Sequence, residues 1–90
     1  MNARELALDD LQRARRRYHA GGYRHLYEAV DDHAAWRARC TARDLLRGDA
    51  ARATEEARVY ELLDNLRHRL GLQARARVAR WNAEHAEQTL

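Results

Sequence analysis

Ninety residues with a net charge of +3 make a single small domain, near the lower size at which one core holds a fold together. Proline and isoleucine are absent, and only three valines and three threonines stand against eighteen alanines, which excludes a β-rich architecture. Serine and lysine are absent too, so Ser-His-Asp hydrolysis, Walker-type phosphate loops and Schiff-base chemistry are excluded outright.

Asn2 followed by Glu5 is a capping-box variant and opens a first helix. Ala7, Leu11, Ala14 and Tyr18 then fall on one stripe at helical spacing. Arg15, Arg16, Arg17 and His19 occupy the last turns, where positive charge meets the negative end of the helix dipole. Gly21-Gly22 ends this helix. The second helix is predicted from about Tyr23 to Arg47, with Tyr27, Val30, Ala34, Ala38, Thr41 and Leu45 on its main face. Gly48-Asp49 reads as a stop and a restart. A single glycine costs only about 1 kcal/mol inside a helix, however, so the alternative is a merged second and third helix that would require dimerisation.

The third helix starts at Asp49 or at Thr54, whose following Glu55 and Glu56 suit a first turn. Val59, Leu62, Leu63, Leu66 and Leu70 form the best apolar seam of the chain. The run Arg69, Leu70, Gly71, Leu72 has the form of a Schellman ending, with Gly71 left-handed and Leu72 folding back toward Leu66. A fourth, alanine-rich helix then carries Ala74, Val78 and Trp81 on one side. Helices joined by short links favour antiparallel neighbours, so the expected fold is all-α: an antiparallel bundle of about four helices forming one domain over residues 1–90. Its aliphatic stock is thin, and an oligomer or a subunit of a larger complex is expected.

The charges are sorted along the chain. Residues 11–27 hold Arg13, Arg15, Arg16, Arg17 and Arg24 and no acid; residues 65–83 hold Arg67, Arg69, Arg75, Arg77 and Arg80 and no acid. The remaining seven arginines share the rest of the chain with all fourteen acids. In an up-down-up-down bundle both basic segments span links at the same end, giving a basic pole. Helix dipoles explain the first and third helices. They do not explain a fourth helix with Arg75, Arg77 and Arg80 toward its start and Glu84 and Glu87 toward its end. Tyr18, Tyr23, Tyr27 and Trp81 lie in the same segments, and arginines beside aromatic rings suit nucleic acid.

Other chemistry is sparse. Cys40, the only cysteine, excludes an intrachain disulfide and reads as a small buried hydrophobe in a reducing compartment. His25, Glu28 and Asp32 share one helical face and Asp64 and His68 another, which leaves a metal site open, but the Glu-x-x-His pairs of carboxylate-bridged bundles are missing. No helix-turn-helix, zinc-finger, RRM or KH signature is present. The first twenty residues lack the apolar block of a signal peptide, and no run approaches a membrane span, so a cytoplasmic protein without membrane contact is expected. No cofactor is implied.

These readings converge on a non-catalytic helical subunit whose basic pole contacts nucleic-acid phosphate with low sequence specificity. The phosphate ligands expected are Arg13, Arg16, Arg17, Arg24, Arg69, Arg75, Arg77 and Arg80. The alternative is an adaptor or inhibitor whose basic pole binds an acidic protein surface.

Overall fold

The computed structural model of the protein describes residues 1–86, and these form three α-helices: α1 (Ala3–His19), α2 (Leu26–Leu46) and α3 (Ala50–Glu84). Two antiparallel steps make α1 and α3 run parallel, both against α2. Contacts between side chains occur at matching levels. Asp10 on α1 meets Arg37 on α2 and through it Glu56 on α3, and one helical stage along Asp31 meets Arg67. Glu87, expected near the end of a fourth helix, lies outside the described residues.

The helix starts follow local chemistry. The Asn2 side chain accepts a hydrogen bond from the Glu5 amide at 2.9 Å, satisfying one of the free donors of the first turn. Asp49 does the same for Arg52 at 3.1 Å, so α3 begins there and not at Thr54. The second helix starts three residues later than its sequence pattern suggests, at Leu26 instead of Tyr23. Tyr23 is drawn out of the helix: its ring packs against the core and its hydroxyl bonds Asp32 at 2.5 Å, so residues 20–25 remain a link.

Two glycines decide the helix count, in opposite senses. Gly48 has φ +79°, a left-handed conformation that side-chain-bearing residues enter at a cost, and it separates α2 from α3. Helices two and three are therefore not merged. Gly71 keeps a helical conformation, and α3 passes through it without a break. The expected Schellman ending is absent and the third and fourth helices are one, so the described residues form three helices and not four. Gln73 to Arg80 are good helix formers, and extending an existing helix adds a hydrogen bond per residue fixed, which outweighs the glycine penalty. The two sites respond oppositely to alanine. Gly71→Ala, where a Cβ meets nothing within 4 Å, is expected to add up to about 1 kcal/mol of stability. Gly48→Ala is expected to cost about 1–2 kcal/mol, both read from chemical denaturation midpoints.

At 35 residues against 21, α3 outruns α2 by fourteen residues, or about 21 Å, and the molecule measures 61 × 22 × 20 Å. The core is small: Ala14, Ala29, Val30, Ala34, Val59 and Leu63 are its buried centre. Leu6, Ala7, Leu11, Tyr18 and Leu70 pack around them. Cys40 is buried, in keeping with its reading as a small hydrophobe. On α2 the buried arc centres on Arg37, not on the Ala38 row: Ala38 is exposed and Leu45 is 60% exposed. Leu62 on α3 is likewise turned outward.

What rotates α2 is a buried ionic cluster. Asp10 is fully buried and accepts two hydrogen bonds from Arg37, from Nε at 2.7 Å and Nη2 at 3.0 Å. Arg37 Nη1 donates to Glu56 at 2.8 Å. Burial alone would disfavour the guanidinium's charge, but its bonds to Asp10 and Glu56 more than offset that and raise its pKa. One residue from each helix thus meets in one charge-assisted cluster, which sets the rotation and register of all three. Asp44 is also buried, with Arg43 and Arg52 at 3.7 and 3.8 Å.

Candidate nucleic-acid interface

The parallel run of α1 and α3 brings the two acid-free arginine segments to the same end of the molecule, around the α1–α2 link and the overhanging part of α3. All eight arginines singled out above are solvent-exposed. Arg13 has a carboxylate nearby, Asp9 at 3.2 Å on the same helix face. None of the other seven has a carboxylate within 4 Å among the described residues. By contrast Arg67, in the same stretch of α3, is engaged by Asp31 at 2.8 Å and by Asp64, and those bonds raise its pKa; the hydrogen bond to Asp64 is the main cause.

The eight do not form one flat face. Arg13 and Arg17 border the groove between α1 and α2. Arg75 and Arg77 line two different grooves flanking the α1–α2 link against α3. Arg69 and Arg80, eleven residues apart, fall within about 20° of each other on α3, on a flank of its packed row. The result is a collar of guanidinium groups around one end, with Arg16 and Arg24 completing it on α1 and the link. With α3 continuous, Arg75, Arg77 and Arg80 lie in its C-terminal third, yet short of the end at which helix-dipole complementation operates. The dipole acts within the last turn, and the last turn of α3 contains no basic residue. It leaves the α3 arginines without a structural partner.

Aromatic residues of the basic segments divide. Tyr18 and Tyr23 pack on the core. The Tyr27 ring stacks on His25 with centroids 5.1 Å apart. Trp81 is 56% exposed but has one face covered by the His85 ring at 4.0 Å. Sequence reasoning passed over Trp36, which lies outside both segments. It is 41% exposed in the α1–α2 groove, and the Arg37 guanidinium covers its ring at 4.7 Å. Burial pushes the neighbouring His33 imidazole below its ordinary pKa.

The metal-ligand alternative does not assemble. Among the described residues no three His, Cys, Asp or Glu side chains converge as a metal would need. Asp32 is taken by the Tyr23 hydroxyl and Asp64 by Arg67. No helix among the described residues is long and apolar enough to cross a membrane. Compared with known proteins, the chain matches no family model, no curated protein and no solved structure.

Proposed function

We propose that this chain is a non-catalytic helical subunit that contacts the phosphate backbone of a nucleic acid through its arginine collar, within an oligomer or a nucleoprotein complex. The observation that supports it is the convergence of two acid-free segments at one end, with seven exposed arginines there lacking any carboxylate within 4 Å among the described residues. Guanidinium groups left unpaired on a surface are poor contributors to stability and good ligands for phosphate, which they grip through two parallel hydrogen bonds. Contacts of this kind read charge and shape, not base sequence.

Salt dependence tests the proposal. If about four phosphates are engaged at once, the logarithm of affinity for duplex DNA falls with the logarithm of salt at a slope of about −3.6, a loss of roughly a hundredfold between 50 and 200 mM. Sequence-scrambled duplexes are expected to bind equally. No binding at 50 mM salt by the folded protein would overturn the reading. Equal affinity for polyglutamate would move it to an acidic protein surface.

A further inference from the structure

The α1–α2 groove encloses about 410 Å³, within the roughly 300–1,000 Å³ typical of small-ligand sites. Arg13 and Arg17 enter it from α1, and Trp36, Arg39 and His33 from α2. Three of these features have no explanation in the fold. Trp36 keeps 41% of its surface exposed on a helix whose opposite side supplies the core. Arg39 is exposed and has no carboxylate within 4 Å among the described residues. The His33 Nε2 atom is buried without a hydrogen-bond partner.

A fourth feature links the groove to the buried cluster. Arg37, held by Asp10 and Glu56, lies with its guanidinium carbon 4.7 Å from the centre of the Trp36 ring. That contact fixes one face of the indole and leaves the ring as a rigid platform bordered by arginines. Aromatic platforms beside a positive track are how proteins hold single-stranded nucleic acid, since every base has a flat face to stack. One acid, Asp32, also lines the groove; it accepts the Tyr23 hydroxyl and stands against three arginines there. The Asp9 contact to Arg13 is a solvent-exposed pair of the kind that contributes little.

We infer that the groove is a single-nucleotide site for a single strand, with an unpaired base stacked on Trp36 and its phosphates held by Arg13, Arg17 and Arg39. This rests on the phosphate-binding reading above and refines its substrate to a strand with exposed bases.

The experiment uses the full chain carrying Trp81→Phe, so that Trp36 is the sole tryptophan, and two probes of equal charge: a twelve-nucleotide oligo-dT and an abasic strand of the same length. Oligo-dT is expected to quench Trp36 emission and to bind about tenfold more tightly than the abasic strand. Adding Trp36→Ala should erase that preference while leaving abasic-strand affinity and its salt slope unchanged, and Trp36→Phe should restore most of it. Arg39→Ala should lower the slope for both strands by about 0.7. Circular dichroism confirms that each variant is folded. Equal binding of the two strands, or a preference that survives Trp36→Ala, overturns the inference while the phosphate reading stands. Loss of all binding to both strands overturns both. A quench by polyglutamate equal to that by oligo-dT assigns the groove to an acidic protein segment and overturns it as well.

Discussion

Replacing Arg37 by alanine is expected to cost the fold about 3–5 kcal/mol, against a total of roughly 5–13 kcal/mol for a domain of this size. The reason is what remains behind. Asp10 has no solvent exposure, and without Arg37 it loses both of its hydrogen bonds while still carrying, or paying to neutralise, a buried charge. Glu56 loses its partner on the next helix. Urea denaturation monitored by circular dichroism measures the loss, and α1 should be the first element released, since Arg37 joins it to the other two helices. Arg37→Lys keeps the charge but not the fork that grips Asp10 through two nitrogens, and an intermediate loss is expected. Replacing the whole cluster at once, as Asp10→Leu with Arg37→Met and Glu56→Leu, should be neutral or stabilising by about 1–4 kcal/mol, because a well-packed apolar set needs no desolvated charges. An Arg37→Ala variant as stable as the parent would mean that the cluster is not buried as described.

The second large effect concerns binding. Changing Arg16, Arg17, Arg75 and Arg77 together to glutamate removes four positive charges from the collar and adds four negative ones. Nucleic-acid binding is expected to become undetectable at 100 mM salt, because counterion release scales with the number of phosphates neutralised and the new carboxylates repel the remainder. Helicity should persist, since all four side chains are exposed and none forms an ion pair among the described residues. Two of them sit in the last turn of α1, so a loss of about 0.3–1 kcal/mol each from the dipole is expected in the melting curve. Reversing Arg4, Arg47 and Arg58, which are exposed at the other end, lowers the net charge in the same direction and should leave most binding in place. If both sets abolish binding alike, the effect belongs to net charge and not to the collar.

Much of the helical layout was legible in the residues, and the failures have physical causes. Asn2 and Asp49 show their role because a cap is a local bond between a side chain and an amide three residues on. Gly71 misled for the opposite reason. A Schellman ending needs something for the chain to turn toward, and the same four residues propagate a helix when the following segment is helix-forming. The rotation of α2 was hidden because apolar periodicity ignores charged residues, and here Arg37 and Asp44 hold the inward positions. Only the pairing of Arg37 with residues 27 positions before it and 19 after it makes that burial tolerable, and no local pattern announces such a pairing. The basic end survived the loss of a helix because it depends on α1 and α3 running parallel, which holds for three helices as for four. Trp36 stayed unnoticed since it lies outside both acid-free segments, and Arg13 and Arg17, which face it across the groove, come from another helix.

The sorting of charge along a 61 Å axis also gives the molecule a direction. A net charge of +3 suggests a weakly cationic particle, yet a polyanion approaching within a Debye length, about 8 Å at physiological ionic strength, senses the near end and not the sum. Such a charge distribution is an electric dipole, and the field of a polyanion would turn its positive end inward and its acidic remainder away before contact. Orientation during the encounter shortens the search for a productive pose, so the association rate is where charge placement, as distinct from charge quantity, leaves its mark.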